Sequence, residues 1–540
     1  MVHTAAATSS PPGGAAVYVG ARRLTSCRHR LHLDTEFPEV GHAAAEDVGV
    51  QQRREAATVY RTQVRETLHA ASGGVLIDRD APARRRAEAT MAACAQGADR
   101  IWDATLPRES DTGREGGAEL LLRDVDRGGY IPVIVVNHKV TDPRTDPQPE
   151  GAAVTTGFAV WAPAPDAGRK VRAQPRDQLR LAHIYRMLQR HGLASPALVG
   201  GVIGFGFETV LVHDLTTVLD EYDRRYADRI TVARGEAETV PSQVPECRSC
   251  PWWSRCREWL VQHRDVSLVA TGARAEVLRD EGLRTIDDLA RSEGPAPVLW
   301  QHGSFDDVVV AAKAWLAGAE LVRRVPQVRV LRADVEVDVD LESYQEHGAY
   351  LWGALLANGT DAPRYHAFVT WDPVPTPDEA RSFAGFWTWL GKVRADAEAH
   401  GKTFAAYCYS RSAEDKWLLD SARRFAGRPG VPSVEEVRAF IDSPQWVDMY
   451  QEVSEAFVTP NGKGLKKVAP VAGFEWRDPE ASGEASMTWY RAAVGYDGPP
   501  DPTQRTRILE YNEDDVLATR ALREWMSGPA DAEVPYAGEL

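Results

Sequence analysis

The stretch TRILEYNEDDVLATRALREWM, residues 506–526, carries the pattern that constrains the fold most. Apolar residues recur every three or four positions, which predicts an amphipathic helix. Tyr511 and Asp515 are spaced Tyr-x3-Asp, so one turn of helix places both side chains over the same spot. This pairing indicates either a functional site or, less specifically, a helix cap beside a core tyrosine.

A run of acids lies upstream in QVRVLRADVEVDVD, residues 327–340. Its alternation with valine predicts a strand, and on a strand the side chains of Asp334 and Glu336 point to the same face. Two carboxylates on one face repel each other unless they share a cation. The run therefore predicts a metal-binding strand or, if it is solvated, an ordinary sheet edge.

The segments between these two patterns alternate between strands and helices. GAYLWGALLANG (348–359) and YHAFVTWD (365–372) are typical of strands, and a long helical pattern follows at 378–401. TFAAYCYSRSAEDKWLLDSARRF (403–425) then predicts a buried strand and a helix, with Glu414 and Asp415 at their junction. The order predicts an α/β domain with acids on its first strand and on its last helix.

This combination resembles the DEDD exonuclease superfamily, whose domains have an RNase H-like fold. A closer similarity is to the RNase H-like domain that follows RecB-like domains in bacterial nucleases. The resemblance implies a two-metal-ion mechanism with Mg²⁺ or Mn²⁺, and exonuclease action is favoured over endonuclease action. The implied catalytic residues are Asp334, Glu336, Glu414 or Asp415, Tyr511 and Asp515, with Asp334, Glu336 and Asp515 as metal ligands.

A segment just before the last helix, WVDMYQEVSEAF followed by GLKKVA, also matches that family. Asp448 within it is a candidate for a further acid. The resemblance implies that Lys466 or Lys467 contacts a phosphate of the nucleic acid.

The stretch PECRSCPWWSRCREW, residues 245–259, holds Cys247, Cys250 and Cys256 in a chain with six cysteines. The spacing C-x2-C-x5-C predicts a metal centre, and structural zinc and iron–sulfur sites each take four ligands. Of the remaining cysteines, Cys27 is the best fourth ligand because the basic residues around it favour a thiolate. A zinc site and three incidental cysteines are the alternatives.

One early cysteine and a distant C-x2-C-x5-C trio resemble the iron–sulfur staple of RecB-family nucleases, which belong to the PD-(D/E)xK superfamily. The resemblance implies that Cys27, Cys247, Cys250 and Cys256 hold a 4Fe–4S cluster. It also implies a RecB-like nuclease core between Cys27 and Cys247, where carboxylates bind a divalent metal and a lysine positions the attacking water.

The stretch GGAELLLRDVDRGGYIPVIVVNHKV, residues 116–140, predicts a hairpin of two strands. Glu119 falls where the resemblance implies the first metal-binding acid, and Lys139 falls where it implies the motif lysine. Asn137 stands where an acid is expected, and a neutral amide lowers the charge of the site. Glu119 and Lys139 are therefore either catalytic or, as the amide favours, part of a site that is weakened, repurposed or inert. On the next helix Gln178 and Tyr185 are the implied nucleic-acid contacts.

The segment LRDEGLRTIDDLA, residues 278–290, resembles half of a helix-hairpin-helix element. Gly282 is expected to turn the chain, and Thr285 to cap a helix with Asp288 three residues on. The predicted organisation is an α/β multidomain chain: a RecB-like domain at 17–262 with its four-cysteine cluster, a helix-hairpin-helix-like linker at 263–300, and an RNase H-like domain at 320–530.

The composition favours a cytoplasmic chain without a membrane span, because the longest apolar run, YIPVIVV, is far shorter than about 20 residues. A net charge of −15 means that nucleic acid must bind through local basic patches or metal ions. No phosphate-loop motif is present, so any helicase is a separate partner. The predicted function is metal-dependent nucleic-acid hydrolysis, with DNA favoured over RNA and a role in DNA processing or repair. The alternative is a non-catalytic nucleic-acid-binding or scaffold protein on a degenerate nuclease fold.

Overall fold

A computed structural model describes residues 16–38, 48–144, 151–207, 209–301, 303–359, 361–496 and 498–540. The chain divides into two compact units between Trp259 and Leu260. Both units mix helices with a sheet, so the predicted α/β multidomain class is confirmed in this general form. Within the described residues, no helix combines the length and the apolar character needed to cross a membrane.

The first unit is built on a nine-stranded sheet in the order β1-β2-β3-β4-β8-β9-β6-β7-β5. Its strands are β1 (Val75–Leu76), β2 (Arg100–Leu106), β3 (Gly116–Arg123), β4 (Tyr130–Val135), β5 (Thr141–Pro143), β6 (Ala152–Thr156), β7 (Ala164–Val171), β8 (Val199–Ile203) and β9 (Val210–Asp214). Its helices are α1 (Arg28–Glu36), α2 (Val48–Ser72), α3 (Ala83–Ala95), α4 (Pro175–Arg190), α5 (Val218–Ala233) and α6 (Trp253–Gln262), which extends just past the division.

The predicted hairpin of the first unit forms as β3 and β4, which pair antiparallel with Leu120 opposite Val133. All six residues of β4 are buried, because the strand lies between β3 and β8 within the sheet. Helix α4 begins at Pro175, whose fixed φ suits the first helical position. Its apolar residues pack with the sheet in the core of the unit.

The second unit contains a five-stranded sheet in the order β13-β12-β11-β14-β15 and a small two-stranded sheet. Its strands are β10 (Val322–Arg323), β11 (Val335–Tyr344), β12 (Gly348–Asn358), β13 (Arg364–Val369), β14 (Phe404–Cys408), β15 (Trp446–Asp448) and β16 (Phe457–Val458). Its helices are α7 (Ala273–Asp280), α8 (Ile286–Ala290), α9 (Phe305–Ala317), α10 (Glu379–Ala399), α11 (Ser412–Arg424), α12 (Val434–Ile441), α13 (Met449–Ala456), α14 (Leu465–Val468), α15 (Gly483–Val494), α16 (Pro502–Met526) and α17 (Ala530–Glu533).

The central strand β11 pairs antiparallel with β12 and parallel with β14. It begins at Val335, later than the predicted residue 327, because Val335 is opposite both Asn358, where β12 ends, and Phe404, where β14 begins. The strand also continues past residue 340 to Tyr344. The acidic run therefore extends one alternation further along the sheet than predicted, to Glu342.

The two faces of β11 have opposite chemistry. Its odd-numbered residues, Val335, Val337, Val339 and Leu341, join the apolar core formed with α10, α11 and α12. Since side chains alternate along a strand, the even-numbered residues share the other face, and they are Glu336, Asp338, Asp340 and Glu342. One side of the central strand is thus a row of four carboxylates.

Helix α16 covers this acidic face. The predicted amphipathic helix is confirmed and begins at Pro502 after the cap Asp501, whose Oδ1 accepts a hydrogen bond from the Thr503 amide at 2.8 Å. Arg523, near the end of the helix, is fully buried and donates to Asp338 and, at 3.2 Å, to Glu336. The Arg523 guanidinium also lies 3.9 Å from the centre of the Tyr407 ring on β14.

The predicted helical segment around residues 263–300 lies in the second unit. Gly282 has φ +83° and turns the chain after α7. Thr285 then caps α8: its hydroxyl accepts from the Asp288 amide, and the Asp288 carboxylate accepts from the Thr285 amide. The predicted cap is confirmed, and α7 and α8 pack with α9 in an apolar cluster of their own.

The buried arginine gives the first testable prediction. Arg523→Leu leaves Asp338 buried without its cation, whereas Glu336 keeps Arg332; removing one partner of a buried pair typically costs about 3–5 kcal/mol. We expect this loss in the opening free energy of α16 amides measured by native-state hydrogen exchange. Arg520→Leu is the matched control on the same helix, since its pair with Glu524 is more exposed and is worth less than about 1 kcal/mol. Equal losses in the two variants would contradict this role of Arg523.

Candidate metal centre in the second unit

Three carboxylates converge between β11 and α16. Side-chain oxygens of Asp340, Glu342 and Asp515 all lie within 4.8 Å of one another. Asp340 and Glu342 are two residues apart on the same face of β11, and Asp515 approaches from α16. Carboxylate oxygens at this spacing match the ligand set of a hard divalent cation such as Mg²⁺ or Mn²⁺.

Each of the three carboxylates is oriented by a neutral donor. Asn512 Nδ2 donates to Asp340 Oδ2 at 2.7 Å, Ser486 Oγ donates to Glu342 Oε2 at 2.9 Å, and Trp476 Nε1 donates to Asp515 Oδ1 at 2.7 Å. These donors come from α15, α16 and the loop between α14 and α15. Neutral donors of this kind fix the direction of ligand groups without cancelling their charge.

The side chain of Asn512 is positioned in turn by residues of β12 and β13. The Tyr365 hydroxyl on β13 donates to Asn512 Oδ1 at 2.6 Å. Gly353 on β12 provides the space, because a Cβ at this position would lie 1.6 Å from Asn512 Oδ1. The orientation of Asp340 therefore depends on β12 and β13, two strands that contribute no ligand.

Burial raises the pKa of the carboxyl groups in this cluster. The pKa of Glu342 rises to about 8 through burial and the nearby charge of Asp515. Burial together with Asp515, Glu342 and Glu414 raises the pKa of Asp340 well above its usual range, and burial also raises that of Asp515. Without a cation the cluster retains protons at neutral pH, so a bound divalent ion would have to displace them.

Glu414 belongs to the same electrostatic environment. Burial, followed by the charges of Asp448, Asp415 and Glu342, raises its pKa to about 8. Its Oε2 atom is buried without a hydrogen-bond partner in the described part of the chain. Asp448, at the end of β15, caps α13 by accepting from the Tyr450 amide at 3.0 Å. Asp415 is occupied instead by Arg411 and by Trp446 Nε1, at 2.7 and 2.8 Å.

Lys466 lies beside the acids on the short helix α14. Its Nζ is 4.5 Å from the centre of the Tyr511 ring and 5.0 Å from that of Trp476. Nζ is buried without a hydrogen-bond partner among the described residues, and burial lowers its pKa even though Asp515 and Glu342 act in the opposite direction. Tyr511 is buried, and burial and Asp515 raise its pKa. Lys467 is exposed.

The structure places Asp334 and Glu336 outside this group. Asp334 is exposed just before β11, where its Oδ2 accepts from the Thr403 amide and hydroxyl at 2.9 and 2.7 Å. Glu336 accepts from Arg332 at 2.7 Å and from Arg523 at 3.2 Å. The Asp-x-Glu pair that joins Asp515 is therefore Asp340 and Glu342, further along the same alternating run than the pair that the sequence analysis chose.

The candidate residues of the first unit are more dispersed. Glu119 on β3 accepts from Arg180 at 2.6 Å and from the Val135 amide at 3.1 Å. Lys139 follows β4 and Asn137, and it lines a cavity with residues that include Arg169 of β7. Glu119 is thus paired with an arginine from α4, a partner that the sequence analysis did not foresee.

The predicted nucleic-acid contacts on α4 have different positions. Gln178 Nε2 lies 3.2 Å from His213 Nδ1 on β9. Tyr185 is buried, and its hydroxyl donates to the Ser195 carbonyl oxygen at 2.7 Å. Tyr185 is therefore a core residue whose polar atom is satisfied within the unit, so it presents nothing to a nucleic acid.

The four cysteines Cys27, Cys247, Cys250 and Cys256 line one small cavity of the first unit, although the first is far away in sequence. Burial and the neighbouring thiols raise the pKa of Cys256 to about 11. The Cys27 amide donates to Glu246 Oε2 at 2.9 Å, and Trp252 Nε1 donates to Asp34 Oδ1 at 2.8 Å. The segment around Cys27 and the segment from Cys247 to Cys256 thus meet at the thiols.

A family model described as RNase_H superfamily (RNase_H_2) matches residues 424–527. This part of the chain is similar to RNase H superfamily domains. The matched residues include Asp448, Lys466, Tyr511 and Asp515, whereas β11 lies before the match. No curated protein matches the chain. An RNase H superfamily domain indicates a metal-dependent, nuclease-type function in nucleic-acid processing, and the cluster of Asp340, Glu342 and Asp515 is suited to the metal.

The raised pKa values predict how pH affects the metal-free protein. In the unfolded chain a glutamate has a pKa of about 4.3, whereas Glu342 titrates near 8 in the folded chain. Between these values the folded state binds more protons, so this group lowers stability as pH rises. In EDTA, Glu342→Gln should therefore melt at about the parent temperature at pH 5 and about 5 °C or more above it at pH 8.

Divalent metal should remove this difference. We expect Mn²⁺ to raise the melting temperature of the parent more at pH 8 than at pH 5, and to stabilise Glu342→Gln less. Ser454→Ala, outside the cluster, is the control for unrelated changes in stability. If the melting temperatures of the parent and Glu342→Gln differed by the same amount at pH 5 and at pH 8, the raised pKa of Glu342 would be contradicted.

Proposed function

We propose that the second unit hydrolyses phosphodiester bonds of nucleic acid with divalent metal ions held by Asp340, Glu342 and Asp515. The observation that carries this proposal is the convergence of three carboxylates within 4.8 Å on a largely buried face of an RNase H-like fold. Like charges that are brought together out of water need a cation. Arg523 neutralises the neighbouring acids Glu336 and Asp338 through hydrogen bonds. It donates to these two acids and not to the trio.

The residues present fit such a metal. Asp340, Glu342 and Asp515 would hold one ion, and Glu414 with Asp448 would complete the ligands for a second one. Two divalent ions, when bound, stabilise the attacking and leaving oxygens of the phosphodiester and favour a nucleophilic hydroxide. Asn512, Ser486 and Trp476 keep the ligand oxygens directed at the ion by hydrogen bonds to the carboxylates.

Lys466 and Tyr511 would handle the substrate. The Lys466 ammonium lies against the Tyr511 ring beside the acids, where it would attract a phosphate oxygen of the nucleic acid. The Tyr511 hydroxyl would orient the water or a phosphate oxygen. The resemblance to DEDD enzymes favours exonuclease action on DNA, in a processing or repair pathway with a separate motor protein.

The decisive experiment compares the two Asp-x-Glu pairs of the acidic run, Asp334–Glu336 and Asp340–Glu342. Asp340→Asn, Glu342→Gln and Asp515→Asn should each reduce Mn²⁺-dependent cleavage of labelled DNA by about 100-fold or more, because each removes a ligand charge. Asp334→Asn should cleave like the parent, since the Asp334 carboxylate accepts hydrogen bonds from Thr403 and lies outside the carboxylate trio. Glu524→Gln, exposed on α16, is the matched control. Loss of cleavage in Asp334→Asn, with activity kept in Asp340→Asn, would show that the first acidic pair, and not the second, binds the metal.

The alternative of a non-catalytic binding protein predicts a different outcome of the same assay. It requires that the parent bind DNA and that no divalent ion produce cleavage of single- or double-stranded DNA or RNA. Cleavage that Asp515→Asn removes would exclude this alternative for the second unit.

We further propose that the first unit, over residues 17–262, is a RecB-like domain closed by a 4Fe–4S cluster on Cys27, Cys247, Cys250 and Cys256. The cavity lined by all four cysteines supports the ligand set. A zinc ion with Zn–S bonds of about 2.3 Å holds its sulfur atoms about 3.8 Å apart. Among the described residues no three of the thiols lie within 4.8 Å of one another, so their arrangement does not match a single zinc ion.

The cluster proposal is tested by metal content. Anaerobically purified protein should be brown and contain iron and sulfide in equal amounts, about four of each per chain. Cys250→Ser should lose the iron and destabilise the first unit, because binding of a structural metal contributes to folding. Cys408→Ala, which replaces a buried cysteine of the second unit, is the control and should keep the full iron content. Colourless protein with one zinc per chain would refute the iron assignment.

The first unit is not proposed as a second working nuclease. Its candidate acid Glu119 is paired with Arg180, and Asn137 replaces the expected acid before Lys139. An arginine beside the carboxylate supplies the positive charge that a metal ion would otherwise provide. The helical segment at 263–300 and the RNase H-like domain at 320–530 complete the proposed organisation.

A further inference from the structure

A cavity of about 1040 Å³ lies within the first unit, and its lining includes none of the cysteines. Its walls come from the turn at Ala21–Leu24, from α3 and α4, and from the adjoining ends of β2 and β3. Six arginines line it, and they are Arg22, Arg23, Arg84, Arg86, Arg108 and Arg180. In a chain with a net charge of −15, this concentration of positive charge is local and exceptional.

The charge balance of the cavity is positive. Against its six arginines, the lining contains two acids, Glu88 and Glu115, so the formal excess is four positive charges. His183 also lines the cavity but stays neutral, because burial lowers its pKa to about 4. Two acids outside the lining also pair with its arginines: Asp34 binds Arg23, and Glu119 binds Arg180. They reduce the excess to two positive charges, so the cavity stays positive.

Arg86, Arg108 and Arg180 keep donors for a ligand. A guanidinium has five N–H groups, and the pairs of Arg108 with Glu115 and of Arg180 with Glu119 each engage one guanidinium nitrogen, at 2.8 and 2.6 Å. Arg86 Nε is buried without a hydrogen-bond partner in the described part of the chain. An arginine guanidinium binds two phosphate oxygens at once through parallel N–H groups. The ammonium group of a lysine acts only as a point charge and lacks this geometry.

The cavity also has apolar walls. Ala87 and Met91 of α3, Leu106 of β2 and Ile184 of α4 lie between the arginines. Cationic and apolar surfaces side by side match the two parts of a nucleotide, its phosphate and its base. Bases can enter such a cavity from a single strand, where they are free to leave the stack, but not from an intact duplex.

We infer that this cavity binds a segment of single-stranded nucleic acid, with the arginines on its phosphates and the apolar wall against its bases. The choice of nucleic acid as the ligand rests on the function proposed for the second unit. The inference adds a separate strand-binding site in the first unit, next to the place where Arg180 neutralises Glu119. The first unit would then hold the strand rather than cut it.

The test measures binding without cleavage. The full-length protein is titrated into a fluorescein-labelled oligodeoxythymidylate in EDTA, and fluorescence anisotropy is followed at several salt concentrations. Arg86→Ala/Arg108→Ala should raise the Kd about 10-fold or more. It should also lower the slope of log K against log salt by about 0.7 for each phosphate that is no longer neutralised.

The matched control is Arg190→Ala/Arg225→Ala, which removes the same charge from exposed arginines of the same unit. It should bind within about twofold of the parent at equal salt, because it is outside the cavity. Equal weakening of both double variants, or of neither, would overturn the inference. Competition by thymidine monophosphate as effective as by the oligonucleotide would overturn the strand as the ligand.

A second measurement uses the unaltered protein, so it does not depend on the folding of a variant. Phenylglyoxal modifies accessible arginines, and mass spectrometry locates the products. The oligonucleotide should protect Arg86 and Arg108 but not Arg190, and failure to protect the first two would overturn the inference. Binding in EDTA without any metal-dependent cleavage would refute the proposed function alone, whereas cleavage with unprotected cavity arginines would refute this inference alone.

Discussion

The second unit depends on one electrostatic constraint: four carboxylates share a face of the central strand β11. Carboxylates packed in a row out of water repel each other, and the arrangement is stable only if positive charge or protons compensate for them. Arg523 compensates for Glu336 and Asp338 at one end of the row. Asp340 and Glu342 at the other end accept hydrogen bonds from the neutral groups of Asn512 and Ser486, and the charge of Lys466 lies nearby.

This division fixes where α16 lies along the strand. Arg523 can reach Asp338 only in one position of the helix, and in that position Asn512 and Asp515 lie two to three turns earlier, over the other end of the row. The structural ion pair and the functional cluster are therefore parts of one arrangement. The same contact that stabilises the fold also places the third carboxylate beside the first two.

The sequence predicted a large part of this arrangement. Helical periodicity located α16 and its Tyr511–Asp515 spacing, and alternation located the acidic strand. The register of the acids was not predictable, because Asp334–Glu336 and Asp340–Glu342 fit the same spacing within one run. The difference between them depends on Arg523, which is 187 residues from Glu336 in sequence. Likewise, the β3–β4 hairpin was predicted in the first unit, but the pairing of Glu119 with Arg180 of α4 became visible only in the folded chain.

The alternation of β11 also limits how this domain can vary in length. Because side chains alternate strictly along a strand, deleting one residue between Val335 and Asp340 would exchange the two faces for the residues on one side of the deletion. The acids on that side would enter the apolar core, and the valines on that side would face α16. Substitutions can be accepted one position at a time, but a single-codon insertion or deletion here would invert one part of the strand relative to the other. Homologous chains should therefore keep the length of this segment constant even where its residues differ.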